Sequence, residues 1–132
     1  MSSIKYKNNS LFVENTSVKR LVSKYKSPFY LYSNSNIIGN YKSFYSNFKK
    51  VTPLICFSVK ANSNVQILRI LKKMGSGADV VSGGELLKTL KSGIKPNKIV
   101  FSGVGKTDEE LRLAIKKKIL LINVESENEA VL

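Results

Sequence analysis

The sequence has no histidine, no tryptophan, a single cysteine, three prolines and only nine acidic residues in 132. Without histidine, hydrolytic triads, imidazole acid–base chemistry and the common zinc sites lack their base or ligand, so no metal is expected. Cys56 stands alone, which leaves no partner for an internal disulfide. Set inside an apolar run, it reads as a buried small hydrophobe in a reducing compartment, with the cytoplasm as the default. No apolar run approaches the ~20 residues that a membrane span requires. The opening MSSIKYKNNSLFVEN holds no apolar stretch long enough for a secretory signal.

What is present in excess is positive charge: 22 Lys and Arg give a net charge of +13. A nucleic-acid binder concentrates such charge on one face, where it meets phosphates. Here the basic residues are scattered from Lys5 to Lys118, mostly between apolar residues on helix surfaces. A dispersed excess reads as a solvated surface, so neither nucleic acid nor membrane is expected as a partner.

Residues 1–27 are polar and irregular, with a weak apolar patch at Leu11, Phe12 and Val13. After Pro28 the run PFYLYS suits a strand. Ser35 or Asn36 can cap a following helix, whose apolar positions Ile37, Tyr41, Phe44, Tyr45 and Phe48 recur with helical spacing until Thr52-Pro53. Four strands follow at intervals of about 21 residues: LICFSV (54–59), ADVVS (78–82), KIVFSG (98–103) and ILLINV (119–124). Between them lie helices carrying Ile67, Ile70, Leu71 and Met74, then Leu86, Leu87 and Leu90 with Gly93 as the stop. Thr107 and Glu110 predict a capping box on the next helix, and Ser126 and Glu129 a second one near the end. Apolar strands alternating with helices indicate a parallel sheet, either an open doubly wound sheet or a (β/α)8 barrel. A barrel takes ~250 residues, so the chain resembles the first half of something larger.

Several motifs invite chemistry. FSGVGKT, residues 101–107, has the ending of a phosphate-binding loop but lacks a glycine five positions before Gly105, where Val100 stands. It is better read as a strand-to-helix turn. VSGGELL, residues 81–87, is either a tight turn into a helix or a set of free N–H groups for an anion. Asp79 interrupts an apolar strand near the end where such folds place ligands, and is either functional or a turn residue. Lys60 closes the run ICFSVK, and is either a solvated rim lysine or an amine held at the mouth of a pocket, able to form a Schiff base.

Taken in order and spacing, PFYLYS, FSVKANSN, GADVVSGGEL, KIVFSGVGKTDEEL and INVESENE resemble the N-terminal part of the diaminopimelate decarboxylases, of the alanine-racemase-like (fold type III) pyridoxal-phosphate enzymes. The resemblance runs from about Phe12 to the last residue. It implies an α/β fold, the N-terminal half of a (β/α)8, TIM-like barrel, truncated and with the C-terminal β-domain missing. Residues 1–27 would be a leader that could belong to that β-domain, and 28–132 the first part of the barrel that binds pyridoxal 5'-phosphate. The implied reaction is decarboxylation of meso-diaminopimelate to L-lysine and CO2, in a cytoplasmic homodimer. Lys60 matches the family's Schiff-base lysine; Asp79 matches an aspartate near the cofactor, Glu85 a glutamate near the lysine and ring, and Ser58 a residue of the barrel wall beside them. For SGVGKT the family implies a turn on the active-site side.

The family also uses a ring-stacking histidine, a phosphate-gripping glycine-rich loop, a Glu-x-Gly-Arg segment, a glutamate on the ring nitrogen and a Cys-Glu pair from the partner subunit; none occurs in residues 1–132. The chain alone is therefore expected to be inactive and poorly folded. Three other readings remain at this stage: an ornithine- or arginine-type decarboxylase, a non-catalytic pyridoxal-phosphate-binding protein, and a basic interaction protein without cofactor.

Overall fold

The computed structural model describes residues 3–48 and 50–132, so the first two residues of the leader lie outside it. The chain falls into two compact units, residues 1–44 and 45–132.

In the first unit, β1 (Ile4–Lys7) and β2 (Ser10–Val13) form an antiparallel hairpin. β2 also pairs with β3 (Thr16–Ser17), which leads into α1 (Val18–Lys24). This corrects the reading of residues 1–27 as irregular. The hairpin turns on Asn8 and Asn9, both at positive φ (46° and 59°), the two-residue geometry that matches the twist of paired strands and that asparagine tolerates. PFYLYS is not a strand: it pairs with nothing in a ladder among the described residues, and Tyr30 is 90% exposed. Aromatic content favours a strand only when a neighbouring edge supplies the hydrogen bonds. α2 (Asn34–Tyr45) starts before either expected cap. Ser33 performs that role, its Oγ accepting from the Asn36 N–H at 3.1 Å while donating to Glu14 Oε1 at 2.7 Å.

The second unit is built on four parallel strands: β4 (Cys56–Ser58), β5 (Gly77–Val80), β6 (Ile99–Phe101) and β7 (Leu121–Ile122). Their spatial order is their chain order. α3 (Val65–Lys73), α4 (Gly83–Ser92) and α5 (Asp108–Lys116) connect them, and α6 (Glu127–Val131) follows β7. One core joins Leu68 of α3, Leu86 of α4 and Ala114 of α5 to Val59, Ala78, Val80, Ile99 and Phe101. All three connecting helices therefore pack on one face. A doubly wound sheet reverses direction at a switch point and is covered on both faces; sequential order with one-sided cover is the winding of a β/α barrel.

Register sets the two faces apart. Phe57, Ala78 and Ile99 align across the strands on the helix side, while Ser58, Asp79, Val100 and Leu121 align on the other. Cys56 lies on that second face and is half-buried, not sunk in the core as its apolar neighbours suggest. Strand alternation sends Phe57 to the helices and Cys56 the opposite way. Gly77 is required here: a Cβ would collide with the Lys98 carbonyl oxygen and come within 2.8 Å of Cys56 Sγ.

The helix ends follow their sequence signals. Asn64, Ser82 and Thr107 cap α3, α4 and α5 with side-chain oxygens, and Gly93 ends α4 in the left-handed region at φ 88°. The Thr107–Glu110 capping box forms in both directions. Glu110 does more than close it. Its Oε1 also accepts the Gly83 N–H at 2.6 Å, tying the start of α5 to the start of α4. That bond, followed by the one from Thr107, holds the Glu110 carboxyl below its ordinary pKa. The folded chain therefore binds this proton less readily than the unfolded one, so the contribution is complete above the ordinary carboxylate pKa and is lost as pH falls through the lower folded-state value. Glu110→Gln should lower stability at neutral pH by at most about 1 kcal/mol, since the site is solvent-screened. Denaturation midpoints of the two proteins should converge in acid; a constant gap across pH would refute the coupling. The second expected box differs: Ser126 Oγ accepts from the Glu129 N–H, but Glu129 Oε2 reaches back to the N–H of Glu125, not of Ser126.

Candidate cofactor site

The C-terminal ends of β4–β7 gather the polar residues of the open face. VKANSN makes the turn after β4. Val59, fully buried, pins a short 3-10 turn over Val59–Ala61, which leaves Lys60 exposed at the rim. Asn62 Oδ1 accepts the Asn64 N–H at 3.0 Å, and Asn64 Oδ1 caps α3 through the Gln66 N–H at 2.9 Å. The motif thus alternates a core anchor, a presented amine and two turn-forming amides.

Asp79 is half-buried at the adjacent strand end and is the register partner of Ser58. Its Oδ1 accepts a 2.6 Å hydrogen bond from Ser102 Oγ, which itself accepts from Asn123 Nδ2 at 2.9 Å. Ser102 and Asn123 continue the sheet by one residue, their N–H groups donating to the Val80 and Phe101 carbonyls. Ser58 Oγ is buried without a hydrogen-bond partner among the described residues. Burial pushes the Cys56 thiol up, with the Asp79 carboxylate adding to the shift and Lys98 opposing it. Burial and the carboxylate both disfavour the thiolate, the form in which a cysteine acts as a nucleophile.

Glu85 lies at the start of α4, where its Oε2 accepts the Val81 N–H at 3.0 Å. The VSGGELL turn is a tight strand–helix connection in which the Gly83 N–H is taken by Glu110 and the Glu85 N–H by Ser82. Lys106 of the GKT sequence is no phosphate ligand. Its ammonium is buried and donates to Gly103 O at 2.6 Å, Asn123 O at 2.8 Å and Glu129 Oε1 at 2.6 Å, which uses all three protons. Lys106 holds the carboxyl of Glu129 below its ordinary range through that hydrogen bond, aided by the N–H of Glu125.

The structure thus brings Ser58 and Asp79 together on one face, sets Lys60 at the end of the same strand as Ser58, and places Glu85 at the next strand's exit. Sequence reasoning missed Ser102 and Asn123. The signal was there: Ser58, Asp79, Ser102 and Asn123 each fall at a strand end and follow the same recurrence of about 21 residues.

A singly wound parallel β/α sheet with a presented lysine and a polar column at the carboxyl ends of its strands defines a ligand-binding segment of a β/α barrel. The profile described as "Pyridoxal-dependent decarboxylase, pyridoxal binding domain" matches residues 34–131, and the chain belongs to this family. It is 44% identical over 128 residues to diaminopimelate decarboxylase of Aquifex aeolicus (strain VF5), covering 96% of this chain and 30% of that protein. The same-named protein of Helicobacter pylori (strain J99) is 51% identical over 108 residues, covering 82% of this chain and 27% of the other. Among solved structures, diaminopimelate decarboxylase of M. jannaschii in complex with L-lysine superposes with a TM-score of 0.92 at 34% identity, covering 99% of this chain and 32% of that one. The chain spans about a third of the length of these relatives.

The residues present fit pyridoxal phosphate. An exposed primary amine suits its aldehyde, the unsatisfied Ser58 Oγ offers a donor or acceptor to a polar ligand atom, and Val100 and Leu121 give the face an apolar floor.

Proposed function

We propose that the protein carrying this chain decarboxylates meso-diaminopimelate to L-lysine and CO2, with Lys60 as the covalent anchor of pyridoxal phosphate. The chemistry rests on one observation: an exposed lysine immediately after a parallel strand, beside a face that presents Asp79 and an unsatisfied Ser58. The substrate rests on the relatives named above, all diaminopimelate decarboxylases.

When bound, the cofactor supplies the electron sink for the charge left by departing CO2. The chain supplies placement. Val59, buried, fixes the turn so that Lys60 Nζ is presented to the aldehyde from the strand end. Asp79, held by Ser102, puts a fixed negative charge on the same face, which favours a protonated nitrogen beside it. Ser58 Oγ would hydrogen-bond the ligand, and Glu85 stiffens the exit of β5 by binding the Val81 N–H. In this reading residues 1–27 serve as a leader and 28–132 as the opening of the barrel, most of which, residues 34–131, lies in the family match. A homodimer in the cytoplasm completes the proposal; no helix among the described residues is long and apolar enough to cross a membrane.

The test uses the protein expressed from its natural gene. Borohydride reduction with pyridoxal phosphate should leave the cofactor mass on the peptide containing Lys60, and CO2 should be released from meso-diaminopimelate in preference to ornithine or arginine. Trapping on another lysine would reject the anchor, and preference for ornithine or arginine would reject the substrate.

A further inference from the structure

We propose that Ser102 and Asn123 are positioning residues for the cofactor-side carboxylate of Asp79, and that the buried Lys106 fixes the outer end of this relay. The inference rests on the reading of Asp79 and Lys60 given above.

The relay has a direction. A carboxylate only accepts and the amide Nδ2 only donates, so the Ser102 hydroxyl must point its proton at Asp79 Oδ1 (2.6 Å) while accepting from Asn123 (2.9 Å). Asn123 is exposed, and an exposed amide at a strand end would otherwise sample several rotamers. Its backbone is held: Lys106 Nζ binds the Asn123 carbonyl at 2.8 Å, and that ammonium is fixed in turn by Glu129 and Gly103. The Asn123 amide therefore bonds Ser102 Oγ, which bonds one oxygen of Asp79, while the buried ion pair holds Asn123 through its backbone carbonyl. The two side-chain bonds orient and polarise one another, and the ion pair acts on them by fixing the Asn123 backbone. Deleting the Ser102 hydroxyl removes the bond that holds the carboxylate while leaving the strand and its packing in place.

The prediction concerns cofactor binding, read from the visible absorption of added pyridoxal phosphate, with melting temperature measured alongside. In the protein expressed from its natural gene, Ser102→Ala should weaken binding about tenfold, as loss of a hydrogen bond to a charged group does. Asn123→Ala should weaken it about threefold, being one link further away. Ser102→Thr, which keeps the hydroxyl, should bind within about twofold of the native protein. In an Asp79→Ala background, Ser102→Ala should add no more than about twofold, because residues acting through one another are not additive. A Ser102→Ala protein that binds like the native one, lowers only the melting temperature, or keeps its full effect without Asp79 overturns the inference while the role of Lys60 stands. If Lys60→Ala still yields a borohydride-trapped cofactor, the site reading fails and takes this inference with it.

Discussion

Lys60→Ala should abolish covalent retention of pyridoxal phosphate and reduce decarboxylation by at least about a thousandfold, the order expected when a covalent catalyst's bond-forming group is removed. The substitution is structurally mild. Lys60 is exposed, and its turn is held by the buried Val59 and by the amides of Asn62 and Asn64, none of which the change touches. Unfolding curves of the cofactor-free variant and native proteins should therefore superimpose, so that lost activity reports chemistry and not collapse of the strand end. Lys60→Arg is the sharper control: it keeps the charge and most of the length, but a guanidinium stays protonated and cannot attack an aldehyde. It should be as inactive as the alanine variant. If the arginine variant retains activity, positive charge is all the position supplies and the anchor must be sought elsewhere.

Phe101→Ala should destabilise the protein by about 3–5 kcal/mol, the range for truncating a large buried aromatic. Phe101 is fully buried at the end of β6, in the cluster shared by α3, α4 and α5, so no single helix can collapse into the vacated space. Its ring also lies 5.9 Å from Lys106 Nζ, so the loss reaches the cation that closes the strand-end network. Val100→Ala, one residue away on the open face, should be far milder because Val100 is already half-exposed. Chemical denaturation of both variants decides the matter: equal losses would mean that the two faces of the sheet are equally packed.

What the sequence made legible depended on how local the physics was. The capping box of Thr107 and Glu110, the Gly93 stop and the run of β/α units are written within a few residues, and each appears where it was read. The strand and helix periods also left two windings open, and only the placement of α3–α5 on one face separated them. PFYLYS failed for the opposite reason, since aromatic character cannot reveal that no ladder forms around it. Cys56 was misplaced because LICFSV is apolar on both sides, and apolarity carries no alternation from which to read a face. The Asn8-Asn9 hairpin turn was overlooked because it is short and set in a polar stretch. Lys60 and Asp79 were legible as polar breaks in apolar strands. Ser102 and Asn123 were marked only by the recurrence of about 21 residues and were passed over, because a serine or asparagine beside a glycine or at a loop start is otherwise ordinary. Lys106, rejected as a phosphate-loop lysine from the missing glycine alone, has all three protons spent inside the chain.

Ser58 and Asp79 are register partners, while Ser102 and Asn123 stand on the same face two residues beyond Val100 and Leu121, and this placement depends only on register. Length is therefore free between the strands and fixed within them. An extra turn in α4, or a longer loop before β6, would leave all four residues on that face. One residue inserted into β5 ahead of Asp79 would swing the carboxylate into the helix-covered core and deliver an apolar neighbour to the ligand. A lineage carrying this segment can lengthen its helices and loops without touching its chemistry, while its strands can change only by substitution.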